Sequence, residues 1–152
     1  MKPAAYTDAI RHNLEHVFAM PKDATDWLCM LFDAIQVLDD VADGDKIERS
    51  ALDAAIWNLL VAMPQNRFFA AHSTALLPLV ATQILKWQAA DEVERKGQAD
   101  AKSFTWRAGF YDVVLLAVSL VHGPNAAIPA AASVLRLYGE NFEEYMKEFD
   151  HA

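Results

Sequence analysis

The spacing of apolar residues limits what this chain can fold into more than any other feature of its sequence. Apolar side chains recur every three or four residues almost throughout, as at Ile10, Leu14 and Phe18, and no convincing strand with alternating apolar and polar residues appears. The first pattern is typical of amphipathic helices, and the lack of the second argues against β-strands. We therefore predict an all-α protein: a single helical domain over residues 1–152, folded as a compact bundle of about six helices.

Residues that favour helix ends divide this pattern into six segments, at about 3–20, 25–44, 50–63, 73–96, 100–122 and 128–149. Gly44 suits the end of the second helix because glycine tolerates the left-handed backbone common there. Ser50 and Asn125 suit the position just before a helix, where a side-chain oxygen accepts a backbone N–H. The residues between the segments, 64–72 among them, are predicted to be connections.

The 64–72 connection places two aromatic residues beside polar ones, which leaves two interpretations open. In the first, Phe68 and Phe69 fill a packed corner of the bundle. In the second, the connection forms a rim that presents Arg67 or His72 to an anion.

The charge and cysteine content limit the partners of the chain. Its net charge of −8 argues against nucleic acid, because phosphate backbones are bound by clustered cations. Cys29 is the single cysteine, so neither an intrachain disulfide nor a thiolate metal cluster is expected. The longest apolar run, 113–121, is too short to span a bilayer. We predict a cytoplasmic protein that binds neither nucleic acid nor a membrane.

An acidic stretch in the second predicted helix is the main candidate for chemistry. Residues 33–45 include five aspartates and no lysine or arginine. Asp39, Asp40 and Asp43 form a DDxxD pattern within it, and a helix places these carboxylates on one face. Carboxylates this close repel one another unless a cation or protons intervene. A site of oxygen ligands favours Mg²⁺, which also bridges to substrate phosphates.

A second acidic pair, Asp91 and Glu94, lies one turn apart on the fourth predicted helix and can face the first. Asp112 is an isolated carboxylate in an apolar stretch, where burial is costly without a partner. Basic residues on neighbouring segments are candidates to bind a diphosphate, and no catalytic residue is assigned. The predicted metal ligands are Asp39, Asp40, Asp43, Asp91, Glu94 and Asp112, and the predicted phosphate-binding residues are Arg107, Arg67 and Lys86.

Two other interpretations of the acidic stretch stay open. The first is a solvated helix face without a ligand, although such faces usually mix positive and negative charges. The second is an acidic patch that binds a protein partner.

Three resemblances add to these predictions. The DDVAD sequence at 39–43 resembles the first aspartate-rich motif of isoprenoid diphosphate synthases, which implies Mg²⁺ and a diphosphate substrate held between helices. Together with Asp91 and Glu94, the DDVAD sequence is similar to the paired acidic motifs of all-α nucleotide pyrophosphohydrolases. Residues 37–45, 64–72 and 87–94 together resemble small uncharacterised helical proteins of bacteriophages and prophages, which implies an origin and no activity.

Two functions follow as hypotheses. One is a Mg²⁺-dependent enzyme that hydrolyses or transfers at a diphosphate. The other is a non-enzymatic phage-type accessory or assembly protein that acts through protein–protein contacts, either as a homo-oligomer or with another protein. The four tryptophans, eight phenylalanines and acidic amphipathic C-terminal segment favour the second hypothesis. Convergence of the two acidic pairs would favour the first.

Overall fold

A computed structural model describes residues 3–150 of the chain, with side chains described for residues 6–150. Over this range the protein is all-α, as predicted, and has no β-strand. The helices are α1 (Pro3–His16), α2 (Lys22–Asp43), α3 (Arg49–Trp57), α4 (Met63–Gln65), α5 (Arg67–Arg95), α6 (Ala101–Arg107), α7 (Phe110–His122), α8 (Pro124–Val134) and α9 (Phe142–Phe149). A π-helical segment, Asn58–Ala62, joins α3 to α4 without a break, so the described part of the chain contains eight separate helices rather than about six.

The predicted 64–72 connection is wrong in extent, because a single residue separates α4 from α5. Asn66 has an extended backbone, and its side-chain oxygen accepts the backbone N–H of Phe69 at 3.1 Å. This N-cap starts α5 six residues before the predicted position at 73. Phe68 is buried and Phe69 stacks on Trp27, with ring centroids 5.7 Å apart, so the packed-corner interpretation is confirmed for these two rings.

Two predicted helices are each divided in the structure. The 100–122 helix breaks between α6 and α7, where Gly109 lies against the side chain of Gln83 from α5 and leaves no room for a Cβ atom. The 128–149 helix is divided into α8 and α9. Neither Ser50 nor Asn125 is an N-cap, because α3 begins after Glu48 and α8 begins after Gly123. Gly44 does end α2 in the left-handed region, with φ of 75°.

The core forms around the first two thirds of α2. Trp27, Leu28 and Phe32 of α2 are each at most 2% exposed, and they pack with buried apolar residues of α1, α5 and α7. Phe32 contacts Phe110 of α7, with ring centroids 5.2 Å apart. The last two turns of α2 extend beyond this core, so Asp40 and its acidic neighbours reach a surface next to buried apolar groups.

Much of α5 lies on the outside of the protein. By length and composition, α5 would be able to cross a membrane, and only 11% of its most apolar 18-residue window is buried within the protein. α6 and α7 meet the same criteria only as a pair bent by 43°. These are the candidates within the described residues. The prediction that the protein binds no membrane therefore stays a prediction.

Candidate functional site

The acidic end of α2 forms one wall of an open cleft of about 890 Å³. This volume is near the upper end of the range for small-molecule sites. The floor is apolar and comes from α2, α5 and α7, while the residues before α9 and α9 itself form the opposite wall. Its floor includes Leu31, Phe32, Ile35, Val80, Phe110 and Val113. The cleft therefore joins an apolar surface to the polar end of α2.

The ionisable groups that line this cleft are almost all acidic. Four aspartates and three glutamates line it, against one arginine, Arg107. Such a rim attracts cations and repels anions before any contact is made. The acidic residues are Asp39, Asp40, Asp43, Asp45, Glu140, Glu144 and Glu148.

Arg107 is held between two of the predicted metal ligands. Its Nη2 donates to Asp39 Oδ1 at 2.8 Å, and its Nη1 donates to both carboxylate oxygens of Glu94 at 2.9 and 3.0 Å. The side chains of Arg107, Asp39 and Glu94 are 20%, 25% and 6% exposed, respectively. The indole N–H of Trp87 also donates to Asp39 Oδ1, at 3.2 Å. Arg107 is thus a structural cation that joins α2, α5 and α6.

Tyr145 connects α9 to this ion-pair network. Its hydroxyl donates to Glu94 at 2.9 Å and lies 2.6 Å from the hydroxyl of Ser103. Burial raises the pKa of Tyr145 to about 12, so the hydroxyl keeps its proton and remains a donor at neutral pH. Its ring also lies 5.8 Å from the guanidinium carbon of Arg107. Tyr145 therefore ties α9 to α5 and α6 beside the cleft, together with the packing of Phe142 on Phe104.

Burial and charge act in opposite directions on this network. Desolvation raises the pKa of the Glu94 carboxyl, and attraction to Arg107 opposes that rise. Desolvation would lower the pKa of Arg107, but attraction to Asp39 and Glu94 outweighs it and raises the pKa above its usual value. Arg107 therefore remains charged at any pH at which the protein is folded.

Asp40 and Asp43 stay available to a ligand. Both line the cleft, and neither forms an ion pair with any residue of the described chain. Desolvation raises the pKa of both carboxyls, and repulsion from Asp39 and Asp45 raises it further; for Asp43 the attraction of Arg107 opposes part of this rise. A positively charged ligand would relieve this repulsion.

The remaining predicted metal ligands, Asp91 and Asp112, do not line the cleft, although repulsion from Asp91 contributes to the raised pKa of Asp43. Asp91 accepts a hydrogen bond from Arg95 within α5, at 2.8 Å. Asp112 accepts one from Gln83 at 2.7 Å and lies 3.6 Å from Lys86. Of the six predicted ligands, Asp39 and Glu94 thus bind Arg107, Asp40 and Asp43 line the cleft without an ion pair, and Asp91 and Asp112 bind other side chains. Among the residues that the structure describes, no three or more His, Cys, Asp or Glu side chains are grouped to hold a metal ion.

Of the predicted phosphate-binding residues, Arg107 alone reaches the cleft. Lys86 lies over the ring of Trp106, 5.8 Å from its centroid, in addition to its contact with Asp112. Arg67 is exposed at the first position of α5, outside the cleft.

Sequence reasoning missed the acidic residues of the opposite wall. Glu140, Glu144 and Glu148 line the cleft, and the sequence marks this segment as acidic and amphipathic. Their place beside α2 depends on the break between α8 and α9. Gly139 lies in this break and predicts a bend there, but not the position of α9. Tyr145 belongs to the same segment and was missed for the same reason.

No protein-family model, curated protein or solved structure matches this chain. The resemblances of the acidic motif and of the longer segments therefore stay predictions. We infer function from the cleft and its charges.

Arg107→Met should destabilise the protein by about 3 kcal/mol, because it leaves Asp39 and Glu94 charged and without a cation in a largely buried place. Chemical denaturation followed by circular dichroism measures this loss. Arg107→Met with Glu94→Gln should recover part of it. Arg95→Met is the control, since it removes an exposed pair within one helix and should cost less than about 1 kcal/mol. Equal losses for Arg107→Met and Arg95→Met would contradict the structural role of Arg107.

Proposed function

We propose that this protein is a non-enzymatic binding protein whose cleft receives a basic amphipathic helix of a partner protein. The observation that supports this proposal is the lining of the cleft, an apolar floor between two walls that carry seven carboxylates and one arginine. That arginine, Arg107, is already neutralised by Asp39 and Glu94. The cleft therefore offers negative charge and apolar surface together.

A basic amphipathic helix complements both parts of this lining. Its apolar face would cover the floor that Phe32, Val80 and Phe110 provide, and removal of that surface from water would supply most of the affinity. Its lysines and arginines would lie near Asp40 and Asp43 on one wall and Glu144 on the other. Charge pairs at such a rim mainly set orientation and association rate.

An anionic ligand fits the same lining poorly. A phosphate in the cleft would face the carboxylates of both walls, and the one cation there is held by Asp39 and Glu94. Freeing Arg107 for phosphate would leave Glu94, whose side chain is 6% exposed, with an uncompensated charge. The balance of charges favours a cationic partner.

Binding can be tested with a fluorescent helical peptide of leucine and lysine, and with a counterpart in which glutamate replaces lysine. Anisotropy should rise with the lysine peptide alone, and the affinity should fall as salt is added because rim charges are screened. Asp40→Asn with Asp43→Asn should weaken binding about three- to tenfold, the usual strength of two exposed charge pairs.

The matched control is Asp8→Asn with Asp53→Asn, which removes the same charge from residues that do not line the cleft. This control variant should bind the lysine peptide within about twofold of the wild type, since neither side chain lines the cleft and salt screens charges at a distance. Equal binding of both peptides, or equal weakening by both double variants, would refute the proposal.

A second candidate is Mg²⁺-dependent handling of a diphosphate. The observation that favours it is that Asp40, Asp43 and Asp45 line the cleft together without an ion pair to any described residue. Hard oxygen ligands of this kind suit Mg²⁺, which usually keeps several waters and bridges to substrate phosphates. Asp40 and Asp43 would then provide the first carboxylates of the site.

If this candidate is right, millimolar Mg²⁺ with pyrophosphate should raise the melting temperature of the wild type and leave Asp40→Asn unchanged. Protonated carboxyls do not bind the metal. Because the pKa values of Asp40 and Asp43 are raised, the effect should disappear at a higher pH than for ordinary aspartates. Asp8→Asn is the control and should behave as wild type. A melting temperature that does not respond to Mg²⁺ and pyrophosphate would exclude this candidate.

A further inference from the structure

We propose that His12 and His16, on the outer face of α1, form a binding site for Zn²⁺ or another divalent ion that prefers imidazole ligands. The two imidazoles supply one nitrogen each, and water completes the coordination of the ion. This site lies outside the cleft and does not depend on what the cleft binds.

The spacing of the two histidines places their rings side by side. Residues four apart in a helix lie one above the other on the same face, and both side chains are exposed. Their ring centroids are 4.6 Å apart. Two imidazoles that bind one ion through bonds of about 2.1 Å have centroids about 4.5 to 5.5 Å apart, depending on the angle between the bonds. The rings already have the separation that a shared ion requires, and rotation of the side chains can aim one nitrogen of each at it.

The ring nitrogens of this pair are available to an ion. Neither ring forms a hydrogen bond with any residue of the described range, and the His16 side chain is 64% exposed. His122 differs, because its Nε2 lies 2.8 Å from the carbonyl oxygen of Phe18. Imidazole nitrogens that face water and have no other partner are common ligands of Zn²⁺ and Cu²⁺.

Glu15 adds a carboxylate to the same face. Its Oε2 lies 3.9 Å from His16 Nε2, and its Oε1 lies 3.5 Å from Arg11 Nη1. Arg11 also donates to Asp26 of α2 at 2.9 Å, so this chain of contacts holds the Glu15 carboxylate beside the histidines. Residues 12–16 therefore have the H-x-x-E-H spacing known from zinc sites on helices. In this position Glu15 can accept a hydrogen bond from a water molecule on the ion.

The end of α1 favours a cation at this place. α1 ends at His16, and the partial negative charge of the last carbonyl groups of a helix attracts cations. The nearby cation, Arg11, is paired with Glu15 and Asp26, so it opposes the ion less than a free arginine would. The net charge of −8 also favours the approach of a divalent ion.

The histidine pair is separate from the acidic cleft. Arg11 contacts Asp26 in the first turns of α2, whereas Asp40 and Asp43 lie in its last turns. A rise of about 1.5 Å per residue separates these two ends of α2 by about 20 Å. Neither histidine lines the cleft. Metal binding at α1 and metal binding in the cleft can therefore be distinguished by mutation.

Calorimetric titration of the metal-free protein with Zn²⁺ tests this proposal. The wild type should bind Zn²⁺ more weakly than a structural zinc site with four protein ligands does. His12→Ala and His16→Ala should each weaken binding about tenfold or more, since even the loss of a group that orients a ligand costs this much. Glu15→Gln should weaken it about tenfold. His72→Ala is the control and should bind as wild type, because residue 72 has no histidine or carboxylate one turn away.

NMR of the imidazole groups locates the ion. The ring signals of His12 and His16 should shift on addition of Zn²⁺, and those of His72 and His122 should not. Zn²⁺ should also raise the melting temperature of the wild type and leave that of His16→Ala unchanged, because the ion binds the folded helix. Circular dichroism should show that the variants at these exposed positions keep their helices.

The cleft provides the outcome that would overturn the proposal. Asp40→Asn with Asp43→Asn should keep the Zn²⁺ site of the histidines, since these aspartates belong to the other end of α2. Zn²⁺ binding that is lost in this variant and persists in His12→Ala with His16→Ala would assign the ion to the cleft. A wild type that binds no Zn²⁺ would equally refute the site on α1.

Discussion

The pairing of Arg107 with Asp39 and Glu94 is the interaction on which the rest of the site depends. The two carboxylates come from α2 and α5, and the arginine comes from α6. Without this cation, two negative charges would lie close together beside an apolar floor, which is costly to maintain. Tyr145 extends the network to α9 by donating to Glu94. The guanidinium of Arg107 thus joins α2 to α5 and α6, and Tyr145 links α9 to the same network.

The same interaction determines the charge that the cleft presents. Because Arg107 is neutralised by Asp39 and Glu94, it has little charge left to offer an incoming anion. Asp40 and Asp43 form no such pair within the described chain and line the cleft. An apolar floor beside carboxylates without ion pairs is the combination on which we base the proposal of a cationic, amphipathic partner.

Part of this arrangement was predictable from the sequence, and part depends on contacts between distant residues. Helical spacing predicted the all-α fold, and the acidic face of α2 and its end at Gly44 follow from local patterns. The pairing of Asp39 with Glu94 through Arg107 joins residues far apart in sequence, so no local pattern reports it. The break at Gly109 depends on the approach of Gln83, and the acidic opposite wall depends on the break before α9.

Nitrogen-15 NMR of the arginine side chains tests the role of Arg107 most directly. A guanidinium held by Asp39 and Glu94 should give resolved, slowly exchanging Nη–H signals, whereas exposed Arg67 should give averaged ones. The Arg107 Nη–H signals should stay resolved and slowly exchanging when Mg²⁺ and pyrophosphate are added. Averaged signals for Arg107, before or after this addition, would show that this arginine is free to bind anions and would contradict the account.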